Sequence, residues 1–186
     1  MSFPSRTEAF AILTEHTHGD SLIKHALAVE GAMRFYAARA GEDAELWGVA
    51  GLLHDFDYEK YPSLDDHPFK GAEILRARGI DEDLIQTILS HGDHTGVPRD
   101  TPMRRALFAV DELSGFCTAV ALVRPSKKLE DVEPSSVKKK LKDKAFARNV
   151  SRDDIRRGAE LLGISEDEHI ANVLTALKGI APTLGL

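Results

Sequence analysis

Residues 46–55 read LWGVAGLLHD, an apolar run that ends in a histidine and an aspartate. The run is apolar nearly all round, which predicts a helix segment that is buried on every side. His54 follows Ala50 and Gly51 at helical spacing, so its imidazole is expected to point inward. Asp55 comes directly after it. A buried helix that ends in two ionisable side chains is therefore the point from which both the fold and the chemistry can be worked out.

Helical patterns continue on both sides of this run. The apolar residues between Leu22 and Tyr36 share one stripe at a 3.6-residue period, and we find no convincing alternating strand pattern. Capping-box spacings mark helix starts at Ser5, Ser151 and Ser165. The predicted helices cover residues 5–16, 20–40, 43–54, 67–78, 82–91, 102–123, 134–146, 151–162 and 166–180. The sequence thus predicts an all-α fold.

The length and composition are those of one ordinary globular domain. The chain has 186 residues, of which 42% are hydrophobic and 29% are charged, and these values exclude a disordered or low-complexity protein. We therefore predict a single all-helical domain over residues 1–186. The net charge of −6 provides no global attraction to nucleic acid or to an anionic membrane.

The cysteine content and the N-terminal sequence indicate a reducing compartment. The single cysteine, Cys117, cannot close an intramolecular disulfide and supplies no paired thiolates for a zinc finger. Residues 1–20 contain charged side chains and histidines where a signal peptide needs an unbroken apolar stretch. We expect a cytoplasmic protein.

One segment, residues 106–123, approaches the length and hydrophobicity of a membrane span. Two adjacent carboxylates, Asp111 and Glu112, interrupt it. An acidic side chain at bilayer depth costs on the order of 3 kcal/mol, so this segment is better interpreted as the central helix of a bundle.

Ionisable side chains recur at positions that the hydrophobic period assigns to the core. His25 lies on the inward stripe of the second predicted helix, and Asp111 lies on the inward face of the most apolar one. A single inward histidine is more often a hydrogen-bonded core residue than a ligand. Because an unpaired buried charge costs several kcal/mol, inward imidazoles and carboxylates on separate helices are better explained by a shared metal ion.

A histidine in an early helix, a His-Asp pair at a helix end and an aspartate in a long later helix together resemble the HD-domain metal-dependent phosphohydrolase superfamily. The resemblance covers roughly residues 20–123, which leaves residues 124–186 as a C-terminal helical extension. It implies an all-α, HD-domain-like helical bundle, in agreement with the helical pattern. It also implies that one divalent ion is held by His25, His54, Asp55 and Asp111.

Some members of that superfamily hold two ions, and this chain has histidines similar to the additional ligands. His67 is similar to the first and His91 to the second, with Asp55 as the bridge. We place His67 in the first turn of its predicted helix and His91 in the last turn of the next. The plainer alternatives are an exposed cap for His67 and a charge at a helix C-terminus for His91. His94 competes with His91 as ligand; helical phase favours His91, which leaves His94 and Asp93 to contact substrate.

These ligand types predict a metal-dependent hydrolase of phosphate esters. Imidazole and carboxylate ligands without thiolate suit Fe, Mn, Zn, Co or Ni. One or two such divalent transition metal ions can activate water for attack on phosphorus. Asp55 and His94 are the candidate catalytic residues. The candidate substrate contacts are Lys70, Asp93, Arg104 and Arg124. The basic residues among them have the plainer interpretation of surface cations.

The expected partner is a small phosphate-bearing substrate such as a nucleotide, with no macromolecular nucleic acid and no membrane. Residues 124–148 carry nine basic against four acidic side chains, which fits either a solvated surface or an electrostatic guide for phosphate. The oligomeric state is open, and a homodimer is one of the options. Two alternative functions remain: a di-iron HD-type oxygenase, and a non-catalytic binding module that the metal stabilises.

Overall fold

The structure, a computed structural model, describes residues 3–186. Over these residues the chain forms α-helices joined by turns and no β-strand, which confirms the predicted all-α class. The helices are α1 (Arg6–His16), α2 (Asp20–Ala40), α3 (Ala44–Leu53), α4 (Phe69–Ala77), α5 (Glu82–Leu89), α6 (Pro102–Leu122), α7 (Pro134–Leu141), α8 (Arg152–Leu162), α9 (Glu166–Gly179) and α10 (Ala181–Leu184). Of these, only the single turn α10 has no counterpart among the predicted helices.

Two helix boundaries differ from the prediction at the candidate ligands. α4 begins at Phe69, so His67 precedes the helix and does not lie in its first turn. The ring of Pro68 explains this difference, because a proline disfavours helical backbone at the residue before it. α5 ends at Leu89, so His91 lies two residues beyond the helix and not in its last turn. Both histidines therefore lie on connecting segments beside helix ends.

Local side-chain hydrogen bonds accompany two early helix ends. The hydroxyl of Ser90 donates to the carbonyl of Thr87 at 2.7 Å, directly after α5. The carboxylate of Asp143 accepts the backbone N–H of Phe146 at 3.3 Å, in the segment where helix 134–146 was predicted to continue. Because such side chains compete with the helical hydrogen-bond pattern, α7 ends at Leu141.

The predicted caps are present where the sequence placed them. Ser5 and Glu8 form a complete capping box at α1. At α8 and α9, Ser151 and Ser165 each accept a backbone N–H of the first turn. Thr101 does the same for α6. These side chains satisfy amide groups that lack partners within the helix, which is why the short polar residues mark the helix starts so reliably.

The centre of the bundle is formed by α2, α3 and α6, and the other helices pack around them. A Cβ added at Gly51 would lie 3.0 Å from backbone atoms of Val29, so α3 approaches α2 very closely just before His54. On the other side of α6, a Cβ at Gly158 would lie 2.7 Å from the Cα of Ala109. Glycine thus permits two close helix contacts, one of α3 with α2 just before His54 and one of α8 with α6.

The segment that resembles a membrane span lies within α6. Most of its apolar side chains are buried against neighbouring helices, and Leu107, Leu113 and Phe116 are fully enclosed, whereas Leu122 and Val123 at its end are exposed. In the part of the chain that the structure describes, no helix is long and apolar enough to cross a membrane.

His169, a buried histidine of α9 that was not among the predicted ligands, has a structural role. The hydroxyl of Tyr36 donates to Nδ1 of His169 at 2.7 Å, and Nε2–H of His169 donates to the carbonyl of Ala109 at 2.8 Å. Burial lowers the pKa of His169 to about 4, so the imidazole is neutral near pH 7. His169 is therefore a hydrogen-bonded core residue, the plainer role that a lone inward histidine usually has.

Candidate metal centre

Five parts of the chain bring ionisable side chains to one point beside α6. α2 supplies one histidine, the residues after α3 supply the His-Asp pair, the turns next to α4 and α5 supply one histidine each, and α6 supplies an aspartate. The six side chains are His25, His54, Asp55, His67, His91 and Asp111. All six were singled out from the sequence, and the structure places them in a single cluster.

Four of these side chains form one set of converging ligand atoms. Nε2 of His25 lies 3.2 Å from Nε2 of His54 and 3.0 Å from Oδ1 of Asp111. Nε2 of His54 lies 3.4 Å from Oδ1 of Asp111 and 3.4 Å from Oδ2 of Asp55. Ligand atoms that share an ion at about 2.1 Å are about 3 Å apart. These spacings therefore fit one divalent transition metal.

The remaining histidines form a second set on the other oxygen of Asp55. Nε2 of His67 lies 3.1 Å from Nε2 of His91. Oδ1 of Asp55 lies 3.2 Å from the first and 3.4 Å from the second of these nitrogens. The two carboxylate oxygens of Asp55 thus face two different groups of nitrogens. This division fits a bridging carboxylate between two ions.

The ring orientations of three histidines are fixed by hydrogen bonds at Nδ1. His54 donates to the carbonyl of Gly51 at 2.7 Å, and His91 donates to the carbonyl of Ile88 at 2.6 Å. His67 donates to Oδ1 of Asp57 at 2.9 Å. A proton on Nδ1 leaves Nε2 with its lone pair free, and in each case Nε2 points into the cluster. The donor set is therefore arranged as metal ligands require.

Asp57 was not singled out from the sequence. Its side chain is fully buried, and its second oxygen, Oδ2, accepts the backbone N–H of Gly71 at 2.8 Å. A Cβ at Gly71 would lie 2.8 Å from the Asp57 carboxyl carbon, so glycine is needed for this approach. Only its position in the sequence could have indicated this role. Asp57 follows Asp55 by two residues and precedes His67, the next histidine in the chain, whose ring it binds.

Charge compensation within the cluster is shown by the direction of the pKa shifts. Burial opposes protonation of His54, but the carboxylates of Asp55 and Asp111 outweigh burial and raise its pKa well above the ordinary value. Burial would raise the pKa of Asp111, yet His54 and His25 hold it well below the ordinary value. For His67, Asp55 and Asp57 overcome burial and raise the pKa to about 9. Protons on imidazoles thus balance the carboxylates, and a divalent cation can take their place.

The cluster lies in a cleft of about 520 Å³. Aromatic and apolar side chains form part of its wall, among them Tyr58, Leu64 and Phe108. The acidic residues of the wall are Asp55, Asp93, Asp111, Glu112 and Asp154. Among the described residues that line the cleft, none is Lys or Arg. The wall thus offers no Lys or Arg to an anion, and a cation held at the cluster would supply the positive charge that an anion needs.

His94 and Asp93 line the cleft, although neither belongs to the cluster. Nε2–H of His94 donates to the backbone carbonyl of His67 at 2.8 Å, so this nitrogen is directed at the main chain and not at the ligand atoms of the cluster. Of the two alternatives, the structure brings His91 to the cluster and leaves His94 on the wall. The carboxylate of Asp93 is ion-paired with Arg99 at 2.6 Å and with Arg157 at 2.7 Å.

The segment that carries His91 is braced by Arg99, a residue that the sequence did not single out. Its Nε donates to the carbonyl of Ser90 at 2.8 Å, and its Nη2 donates to the carbonyl of His91 at 3.2 Å. The guanidinium group stacks on Phe108 at 3.7 Å from the ring centroid. Arg99 therefore fixes this connection against α6.

The structure does not bring the three predicted basic contacts to the cleft. Lys70 pairs with Glu73 at 3.0 Å on α4. Arg104 is paired with two aspartates, the nearer being Asp83 at 2.8 Å. Arg124 donates to the hydroxyl of Ser136 at 3.2 Å. The structure describes all three side chains, and none of them lines the cleft. Any contact that they make with a substrate would lie outside it.

Fold and site together define a class of protein, a helical domain with a His-Asp pair at the end of a buried helix. This pair joins histidines and an aspartate from other parts of the chain in a site suited to divalent metal. The chain belongs to the HD domain family, and the model of that family matches residues 22–116. The matched range contains all six side chains of the cluster. Family and geometry agree that the chain can hold a divalent metal ion; the identity of the metal stays a prediction.

Curated relatives of this chain are ribonucleases. Ribonuclease Y of Thermotoga petrophila is 28% identical over 162 residues, which are 85% of this chain and 30% of the relative. Ribonuclease Y of Thermosipho melanesiensis is 29% identical over 167 residues, with the same shares. Ribonuclease Y of Desulfotalea psychrophila is 29% identical over 159 residues, which are 82% of this chain and 29% of the relative. The chain thus spans less than a third of the length of these relatives. No solved structure gives a significant match.

The names of these relatives overturn one prediction made from the sequence. A small phosphate-bearing substrate was expected, with no macromolecular nucleic acid, because the net charge is negative and the basic segment 124–148 has no aromatic residue apart from Phe146. The relatives are named for action on RNA, and this prediction is therefore wrong. Net charge is a weak guide for such a site, because a metal ion held by its ligands would supply positive charge locally without a basic surface.

Proposed function

We propose that this chain is a metal-dependent phosphohydrolase that cleaves phosphodiester bonds of RNA. The observation that carries the proposal is the division of the Asp55 carboxylate, whose two oxygens face two separate sets of histidine nitrogens. Membership of the HD domain family supports hydrolysis, and the ribonuclease relatives support RNA as the substrate class.

The residues of the chain divide into ligands and cleft wall. His25, His54 and Asp111 would hold one ion, and His67 and His91 the other, with Asp55 between them. Divalent ions at such a site supply a hydroxide from water near neutral pH and neutralise the phosphoryl oxygens. In hydrolysis the water oxygen bonds to phosphorus, the bond from phosphorus to the leaving ribose oxygen breaks, and that oxygen takes up a proton.

His94 is the proposed proton donor to the leaving oxygen. Its ring lines the cleft, and the carbonyl of His67 holds its Nε2 in place. Nδ1 would then carry the second proton of an imidazolium and give it to the leaving oxygen, which leaves the ring neutral with its proton on Nε2. Histidine is suited to the task because its ordinary pKa lies near neutrality.

The test compares purified wild type with Asp55→Asn on short RNA, with Mn²⁺, Fe²⁺ or Zn²⁺ supplied. Asn keeps the size of the side chain and cannot offer two anionic oxygens. We expect cleavage to fall by more than about a hundredfold, since loss of even an outer partner of a metal ligand costs 10- to 100-fold. The measurement is product formation on a gel, together with metal content of each protein.

Asp65→Asn is the matched control, because it is the same substitution at an exposed position of the same connection. It should cleave RNA like wild type. Cleavage that survives in Asp55→Asn would come from a contaminant or from another site and would refute the proposal. Oxygen uptake without RNA cleavage would point to an oxygenase instead.

A further inference from the structure

Large apolar side chains are exposed beside the opening of the cleft. Tyr58 is 40% exposed, Leu64 is 67% exposed, and both line the cleft. Phe69 is 37% exposed and packs edge-to-face on His94, with ring centroids 5.8 Å apart. We name these three residues the mouth patch. Exposed apolar side chains that gather at a functional cleft usually mark a binding surface.

The ring of Tyr58 is held in a defined position relative to the cluster. It packs edge-to-face on His67, with centroids 5.2 Å apart and an interplanar angle of 85°. The backbone N–H of Tyr58 donates to the carbonyl of Asp55 at 3.0 Å. This hydrogen bond closes a turn that begins at Asp55 and ends at Tyr58. The local backbone therefore keeps Tyr58 close to the cluster.

The charges of the cleft limit how a nucleic acid can be bound. The described residues that line the cleft include five carboxylates and neither Lys nor Arg. Ion pairs between basic side chains and successive phosphates therefore cannot supply the affinity inside the cleft. The contacts that remain are those of a bound metal with the reacting phosphate and those of apolar surface with the bases.

We propose that the mouth patch stacks unpaired bases next to the phosphodiester bond, so that the protein selects single-stranded RNA. This inference rests on the proposed function, since it takes RNA as the substrate. Aromatic side chains bind single strands by stacking on the faces of bases. In a duplex those faces are covered by neighbouring base pairs, so the mouth patch finds no free base face on which to stack.

The first experiment measures binding of a short fluorescent RNA, alone or annealed to its complement, by anisotropy, and measures KM for cleavage of the single strand. We expect Tyr58→Ala to raise both Kd and KM by about tenfold, the value for one lost stacking contact. Tyr58→Phe keeps the ring and should bind like wild type. Metal content is measured for each variant, because Tyr58 also packs on His67.

Leu64→Ala tests the patch at a residue that is neither aromatic nor a proposed ligand, and we expect a severalfold rise in Kd. Its matched control is Val123→Ala, which shortens another exposed apolar side chain at the end of α6, away from the cleft. The salt dependence of Kd gives an independent readout. With at most two phosphate contacts, log K should fall with log salt at a slope of about −1.4 or shallower.

The outcomes separate this inference from the proposed function. Single-strand binding that depends on Tyr58, without cleavage, would support the patch and refute the proposed activity. Cleavage with Kd and KM unchanged in Tyr58→Ala and Leu64→Ala would overturn the patch and leave the activity standing. Equal affinity for the duplex and the single strand, or a steep salt slope that points to basic residues, would also overturn it.

Discussion

Single hydrogen bonds decide which side chains can act as ligands. Asp57 accepts from Nδ1 of His67 with one oxygen and from the backbone of Gly71 with the other, so both oxygens are used. This arrangement fixes the proton of His67 on Nδ1 and turns Nε2 toward Asp55. Asp57 is thus a positioning residue that acts through His67.

We predict that Asp57→Asn weakens binding of one ion by roughly 10- to 100-fold. Asn has one carbonyl oxygen, so either His67 or Gly71 would then face an NH₂ group and lose its acceptor. Calorimetric titration with metal measures the affinity for each ion, and Asp65→Asn serves as the exposed control. Two ions bound with unchanged affinities in Asp57→Asn would contradict the positioning role.

At the level of helices, close contacts set the distance between ligand-bearing elements. α8 approaches α6 at Gly158, where a Cβ would lie 2.7 Å from the Cα of Ala109. Ala109 precedes Asp111 by two residues on α6. Because the obstructing atom belongs to the backbone of α6, the two helices would have to separate to admit a larger residue.

Gly158→Ala is expected to lower the free energy of unfolding by about 1–3 kcal/mol through overpacking. Gly179→Ala provides the matched control, since a Cβ there meets no atom within 4 Å and alanine favours a helix. Urea unfolding measures the change in the free energy of unfolding of each variant, from the shift in the midpoint when the m-value is unchanged. If Gly158→Ala were as stable as Gly179→Ala, α8 and α6 would not be in the tight contact described.

At the scale of the molecule, the metal centre ties together five parts of the chain that lie far apart in sequence. His25 and Asp111 are 86 residues apart, yet their ligand atoms lie at 3.0 Å. A ligand that binds only the folded state shifts the unfolding equilibrium in its favour. Metal binding should therefore stabilise the whole bundle.

We predict two ions per chain and an increase in Tm on their binding. At a free metal concentration about a hundred times Kd, the folded state gains about 2.7 kcal/mol for each ion, and one such gain raises Tm by roughly 5–10 °C. His67→Ala and His91→Ala should each reduce the stoichiometry from two to one. Elemental analysis and thermal scans measure both quantities; a stoichiometry that is the same in wild type and variants would leave only a mononuclear centre.

The sequence by itself determined the helices and the inward-facing ligand candidates. Caps such as Ser5 and Ser151, and the apolar period around His25, depend on neighbours within one or two turns, and such signals can be read along the chain. His25, His54 and Asp111 were also found this way, whereas His67 and His91 were added by the family resemblance. The sequence extended two helices too far, one back to residue 67 and the other on to residue 91. Pro68 and the side-chain hydrogen bond of Ser90 end the helical pattern there despite the periodicity.

Only the tertiary structure decided how the candidates meet. It brought His91 rather than His94 to the cluster, added Asp57 as the partner of His67, and divided the two oxygens of Asp55 between two sets of nitrogens. It also placed Lys70, Arg104 and Arg124 away from the cleft. The physical reason is that these relations depend on distances between separate helices, which are set by close contacts at residues such as Gly51 and Gly158 and leave no periodic trace in the sequence.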